Sequence, residues 1–308
     1  MKRITANGHH RVRRLIVTGA TRGLILCAVL YLALCLALTF FQRSLLYMPP
    51  PSNCCATPSE ITLVGDGVAL KLAVRPHAGA GAIIYFGGNA EDVSASLPVL
   101  NTAFPTRALY LLRYRGYGGS DGQPSEAAFR RDALAVFDYV RRQHGDIVVI
   151  GRSLGSGVAI RLASQRPVSK LILVTPYASI LALAQQRYPI FPVRWLMQDK
   201  FESWREAPQV TAPTLLLAAQ YDNLVPAQST QMLYQHFASG IARLKVIPET
   251  DHNNISASVT YPLLLGQFVD ESDAESAGKT ARAGNFTQPA LPPASDATPE
   301  NPARRHSA

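Results

Sequence analysis

The chain has no acidic residue before Glu60 and no cysteine after Cys55. The first absence locates the charge. The formal net charge is +9, and Lys2, Arg3, Arg11, Arg13, Arg14, Arg22 and Arg43 stand unopposed ahead of residue 44, leaving the rest of the 308 residues close to neutral. Nucleic-acid binding needs cations gathered on a folded face, so that class loses its main support. The second absence means that the globular part holds together without disulfides and tolerates either redox compartment. Cys27 and Cys35 fall in an apolar helix, while Cys54 and Cys55 are adjacent, where a mutual bridge is strained. No metal-ligand spacing is visible, and neither metal nor cofactor is expected. What is present, 47% hydrophobic residues over this length, suffices for one large core plus appendages.

Leu24 to Phe41 is 18 residues without a charge. As a helix it rises about 27 Å, close to the thickness of a hydrocarbon core. Six Lys and Arg precede it and only Arg43 lies between it and Lys71, which puts the N-terminus in the cytoplasm and the rest outside. The reading is a signal anchor. A cleaved signal peptide is the alternative, although its apolar region is usually shorter and no small-x-small cleavage site follows. Just ahead, Val17 to Leu24 is similar to the glycine turn of short-chain dehydrogenases. Ile25 stands where the third glycine belongs and no βαβ unit surrounds it, so the match fails on context.

Met48-Pro49-Pro50-Pro51-Ser52 reads as an extended spacer. Glu60–Val64 and Val68–Val74, around Gly65-Asp66-Gly67, form a β-hairpin. Strand and helix then alternate. The strands expected are 82–86, 108–113, 147–150, 170–174, 214–218 and 243–247; the helices are 92–100, 126–143 (Ser125 as N-cap), 156–164, 227–237 and 258–269. Such alternation after a lead hairpin gives an α/β fold with a mostly parallel sheet flanked by helices. Residues 179–212 break the rhythm, with Tyr188, Phe191, Trp195, Phe201 and Trp204 among three prolines; a small lid is expected there. After Glu271 the chain is small and polar and is expected to be disordered.

The chemistry centres on Gly151-Arg152-Ser153-Leu154-Gly155, between the apolar run Ile147–Ile150 and a helix. Strand, Gly-x-Ser-x-Gly, helix is the context of a nucleophile elbow, which lifts a serine hydroxyl clear of the sheet. A serine hydroxyl needs an adjacent base, and the base an orienting carboxylate. His9 and His10 precede the span, His306 is in the tail and His77 in an early loop. His144 ends the helix before the elbow strand and His236 lies within a helix. His252 alone sits in a loop after a late apolar strand. Asp222 occupies the corresponding loop after Leu215-Leu216-Leu217-Ala218; Asp251 is too near His252 in sequence and Asp199 falls in the lid. An oxyanion needs preorganised donors, for which the Leu154 N–H and the Asn89 N–H of Gly87-Gly88-Asn89-Ala90 are the candidates.

These motifs together resemble the α/β-hydrolase superfamily, and within it the membrane-anchored, serine-aminopeptidase-like group that includes the ABHD-type depalmitoylases. The matching residues are Gln42–Tyr47, Phe86–Ala90, Tyr114–Gly122, the elbow, Pro176–Ser179, Asp199–Ser203, Asp222–Pro226 and Asp251–Asn253, over roughly residues 40–270. The order Ser153, Asp222, His252 is the one expected of that superfamily. Gly87 stands where the group commonly has His, and Glu91 where it often has Gly. The resemblance implies an α/β-hydrolase fold and a serine hydrolase acting on an ester, thioester or amide of a small-molecule or acylated substrate. The alternative is a catalytically silent binding module tethered to the envelope. The expected division is a basic cytoplasmic segment (1–23), a signal anchor (24–41), a linker (42–58), the hydrolase domain (59–271) with its lid about 179–212, and a tail (272–308). The catalytic domain is expected on the outer, periplasmic side of the membrane.

Overall fold

The computed structural model describes residues 6–50 and 59–271, with side chains from residue 15 onward. The polar tail, the Cys54-Cys55 pair and the spacer's Pro51 and Ser52 lie outside the described residues. Among the described residues eight strands form one sheet: β1 (Glu60–Gly65), β2 (Val68–Arg75), β3 (Gly81–Phe86), β4 (Ala108–Leu112), β5 (Asp146–Arg152), β6 (Lys170–Val174), β7 (Thr214–Ala219) and β8 (Ala242–Ile247). Their order is β1-β2-β4-β3-β5-β6-β7-β8. β2 is antiparallel to both of its neighbours, and every pair from β4 to β8 is parallel.

The central strands are apolar on both faces because both faces are covered. In β5, Val149 points into a core shared with Phe129, Val136, Phe137 and Leu162, while Val148 and Ile150 point into one shared with Leu100, Tyr261, Leu265 and Phe268. The first core is closed by α3 (Glu126–Arg141), α4 (Leu154–Ala163) and α7 (Ala227–His236) and the second by α2 (Leu97–Ala103) and α8 (Thr260–Asp270). Ser125 caps α3, its Oγ accepting from the Ala128 N–H at 3.2 Å.

Some boundaries differ from the sequence expectation. The helix expected over 92–100 is a 3₁₀ turn at Val93–Ser96, capped by Asp92, which passes into α2 near Pro98. Competition from the short Asp92 side chain for its own downstream amides favours a cap over a helix interior. The helix expected from 156 starts at Leu154, directly at the elbow, and the last helix at Thr260, after a 3₁₀ turn at Ile255–Ala257.

Ahead of the sheet, α1 (Ala6–Leu46) is far longer than the 18-residue apolar run inside it. Its segment Leu15–Leu46 is long and apolar enough to cross a membrane, and almost none of its most apolar window is buried in the protein. Its C-terminal end is seated on the domain. Tyr47 is buried, with its ring edge-on to Phe129 at 5.3 Å. Arg43 pairs with Asp199 at 2.9 Å, and the Leu46 carbonyl accepts from Asn89 Nδ2 at 2.6 Å. Residues 42–48, expected as the head of a linker, are therefore a seat, because the last carbonyls of a helix need partners and the domain supplies them.

The turn-rich stretch Tyr114–Gly122 is pinned by one buried ion pair. Arg115 meets Asp132 of α3 with contacts of 2.6 to 2.9 Å, the two side chains being 9% and 2% exposed. Removing one partner strands a buried charge. Asp132→Ala is expected to cost about 3–5 kcal/mol, read as the change in urea midpoint of the detergent-solubilised chain.

Candidate active site

The strand order reverses at β3, which leads to β4 on one side while β5 pairs on the other. The carboxyl ends of strands at such a switch point form a crevice that helices do not cover. Ser153 follows β5 and Gly87–Asn89 follows β3, so both face that crevice from adjacent strands.

The elbow's geometry follows from its glycines. A Cβ on Gly155 would lie 2.1 Å from the Phe86 carbonyl oxygen, and one on Gly151 would lie 2.4 Å from the Gly155 carbonyl oxygen. Close approach of β3, β5 and α4, rather than backbone handedness, excludes side chains at both positions. Ser153 between them takes φ 47°, ψ −115°, a region that non-glycine residues rarely adopt. Three hydrogen bonds hold it there. The Ser153 N–H donates to the Val174 carbonyl at 2.8 Å, and the Ser153 carbonyl accepts from the Ser156 N–H at 2.9 Å and its hydroxyl at 2.7 Å.

His252 lies 2.8 Å from Ser153 through Nε2 and 2.8 Å from Asp222 Oδ2 through Nδ1. The Asp222 and His252 side chains are 7% and 10% exposed. A carboxylate only accepts, so Nδ1 carries the proton and donates it to Asp222. Nε2 is then free to accept the Ser153 hydroxyl proton. Asp222 is itself fixed, its Oδ1 accepting from the Leu224 and Val225 N–H groups at 2.9 and 2.7 Å. The two loops are stitched together by Tyr221 N–H to the Thr250 carbonyl, 2.8 Å, and Glu249 N–H to Gln220 Oε1, 2.9 Å.

The competing side chains are engaged elsewhere. His144 bridges Tyr110 and the Gly79 carbonyl near the amino ends of β3 and β5, and His236 contacts the Met232 carbonyl. Asp199 holds Arg43, and Asp251 Oδ1 accepts from the Asn253 and Asn254 amides.

On the β3 loop, a Cβ at Gly88 would lie 3.6 Å from Ser153 Cβ, which puts the loop backbone against the nucleophile. The Gly88 N–H donates to Glu91 Oε2 at 2.6 Å and is spoken for. Asn89 is held by its side chain: Oδ1 accepts from Tyr117 Oη at 2.8 Å and the Met48 N–H at 3.0 Å, while Nδ2 reaches Leu46. Its own N–H is left over, as is that of Leu154, since the first amides of a helix have no acceptor within it. The glycine at 87 is also explained, because a Cβ there would come within 2.5 Å of Val93 Cγ1. A larger residue would require Val93 to shift.

Two residues that sequence reasoning had not placed in the site hold it together. Glu91 accepts from Tyr85 Oη and Ser96 Oγ, both at 2.7 Å, as well as from Gly88 and from Arg152 at 3.2 Å. Arg152, the variable position before the serine, also donates to the carbonyls of His252 and Asn253 at 3.3 and 3.2 Å. The pair thereby ties the β3 loop to the histidine loop. Burial disfavours the Arg152 cation, but Glu91 foremost among its neighbours outweighs that and its pKa rises; burial first and then Glu91 raise the Tyr85 phenol. The available signal was that Arg152 is the only charged residue of the elbow pentapeptide and Glu91 the charge directly after Gly87–Ala90.

A family model described as the alpha/beta hydrolase family matches residues 78–295. An uncharacterised protein of Mycobacterium tuberculosis (strain CDC 1551 / Oshkosh) is 34% identical over 252 residues, covering 76% of this chain and 89% of that one. Protein bem46 of Schizosaccharomyces pombe is 27% identical over 205 residues, 62% of this chain and 68% of that one. The lysophosphatidylserine lipase ABHD12 of Macaca fascicularis is 31% identical over 191 residues, 53% of this chain and about half (48%) of its own. Among solved structures, esterase Pf2001 of Pyrococcus furiosus superposes with TM-score 0.59 at 17% identity, covering 72% of this chain and 98% of that one. Est1E of Butyrivibrio proteoclasticus, bound to ferulic acid, gives 0.58 at 16%, over 70% and 99%. These two likenesses are of fold.

Proposed function

The chain belongs to the α/β-hydrolase family, and from that premise we propose that it is a membrane-anchored serine hydrolase that cleaves an ester, thioester or amide. The observation that carries this reading is the unbroken line Ser153–His252–Asp222, with both links at 2.8 Å. Ser153 Oγ attacks the substrate carbonyl carbon as its proton passes to His252 Nε2. Asp222 holds the ring in the required tautomer and stabilises the imidazolium. The oxyanion receives the Asn89 and Leu154 N–H groups. As the intermediate collapses, the bond to the leaving group breaks and Nε2–H protonates that group. Water then gives a proton to Nε2, attacks the acyl-serine, and the acid leaves as Ser153 regains its hydrogen. ABHD12, a lipase by name, supports esters as the first substrates to try.

In this reading residues 59–271 are the catalytic domain, α1 is the anchor, and the unopposed basic residues keep its N-terminus cytoplasmic with the domain on the outer, periplasmic side. A fluorophosphonate probe tests the chemistry against the alternative of a silent binding module. It is expected to modify Ser153, identified by peptide mass spectrometry. No label on the wild-type chain, or a label elsewhere, would overturn the reading.

Glu91→Gln tests how the site is held. The amide cannot accept from Arg152, Gly88, Tyr85 and Ser96 together, so the β3 loop loses its fixed position. Misplacement on the ångström scale costs up to about 100-fold in rate. The expected result is a fall in kcat toward short p-nitrophenyl esters with little change in KM, because the displaced loop carries a donor that acts in the transition state.

A further inference from the structure

The lid consists of α5 (Ile180–Arg187), α6 (Val193–Leu196) and the turns that follow them. Its tip, residues 188–195, is Tyr-Pro-Ile-Phe-Pro-Val-Arg-Trp. Tyr188 is 54% exposed, Ile190 73% and Trp195 84%, an unusual set for eight residues facing water. The tip does not stand alone. Tyr31 of α1 donates its hydroxyl to the Ile190 carbonyl at 2.8 Å and stacks on the Phe191 ring at 6.0 Å. Lower on the same helix, Gln42 Nε2 donates to the Leu196 carbonyl at 3.1 Å and Gln42 Oε1 accepts from the Gln198 N–H at 2.7 Å. The lid therefore lies along α1 from Tyr31 to Arg43.

That contact sets the depth of the tip. About 20 helical residues cross a hydrocarbon core. Every 20-residue placement within Leu15–Leu46 includes Tyr31, whichever end is chosen. If α1 spans the membrane, the residues touching Tyr31 lie at bilayer depth too. The tip is suited to that medium. Pro189 and Pro192 have no N–H to satisfy. Of the other amides, those of Tyr188, Phe191, Val193 and Trp195 bond to carbonyls of Ala184, Tyr188, Phe191 and Pro192. The two cations of the tip region, Arg187 and Arg194, are exposed, and long basic side chains reach headgroups from such positions.

We propose that the lid tip, Tyr188–Trp195, is a second membrane contact, embedded in the bilayer beside α1 at the depth of Tyr31. This rests on the reading that α1 is the anchor. The consequence is a lid whose position depends on the bilayer, braced on one side by the span and on the other by the Arg43–Asp199 pair.

The two tryptophans of the chain, Trp195 and Trp204, make this measurable. The full chain carrying Trp204→Phe is reconstituted in phosphatidylcholine–phosphatidylglycerol vesicles, with and without acyl-chain-brominated lipid. Trp195 emission is expected to be blue-shifted and to lose most of its intensity in the brominated vesicles. If Trp204→Phe fails to fold, the difference between wild type and Trp195→Phe gives the same readout. Chain that floats with the vesicles but whose Trp195 is quenched by aqueous iodide and not by bromolipid overturns the lid contact alone. Blue-shifted emission without bromolipid quenching would mean that a second copy covers the tip, and also overturns it. Chain that fails to float overturns the anchor and the lid contact together, while the fluorophosphonate label on Ser153 is unaffected by any of these outcomes.

Discussion

Replacing Ser153 with alanine is expected to lower kcat toward short p-nitrophenyl esters by about 10⁴–10⁶-fold. The loss should be large because one oxygen starts the whole sequence of steps. Without it His252 can only activate water, held less well than an atom fixed 2.8 Å away. The Asn89 and Leu154 amides and the crevice remain, so a residual rate above the uncatalysed one persists. The fold should also remain, since the main-chain bonds to Val174 and Ser156 do not involve the hydroxyl. Strain at such a backbone position is worth about 1–3 kcal/mol and is unchanged by the substitution, so the melting temperature should be equal to or above that of the parent. Loss of activity with an unaltered melt identifies a nucleophile, whereas activity within tenfold of wild type would remove Ser153 from that role.

How far the site could be read from the sequence depends on the range of the contacts that build it. Ile147–Ile150, the elbow glycines and the apolar strands ahead of Asp222 and His252 are local patterns. A parallel sheet turns them into a spatial statement by bringing the ends of successive strands to one edge. The three side chains could therefore be named and ordered before any coordinates. The supports are different. Glu91 meets Arg152 across 61 residues, Asn89 meets Leu46 across 43, and Tyr31 meets Ile190 across 159. Nothing in local composition encodes such pairings, because each depends on which loops the finished sheet places side by side. The same reason explains residues 42–48, the head of the linker expected at 42–58. These residues read as helix end and spacer, and only the docked domain reveals that Leu46 and Met48 lie against the loop carrying Asn89 and Tyr47 against Phe129. In this family member, the end of α1 and the proposed oxyanion loop share one hydrogen-bonded joint.

Asp222→Asn is expected to lower kcat by about 10⁴-fold while leaving Ser153 open to slow fluorophosphonate labelling. The size of the effect follows from what the carboxylate accepts. Oδ1 takes two main-chain hydrogens, from Leu224 and Val225, and Oδ2 takes the His252 Nδ1 hydrogen. An asparagine can keep its oxygen toward the two amides, but its NH₂ then faces Nδ1. Two donors cannot share that bond, so the imidazole must move its proton to Nε2. Nε2–H no longer accepts from the Ser153 hydroxyl, and the base is lost without a change of shape. The reverse orientation sets the NH₂ against two main-chain donors, which costs more than the tautomer change. Asp251 cannot take over, because its Oδ1 is committed to the amides of Asn253 and Asn254 one turn away. The measurement is kcat beside the rate of probe labelling. A parallel collapse of fold and activity would reduce Asp222 to a turn residue, whereas a folded variant with the slow label and the large rate loss requires it to hold the histidine tautomer.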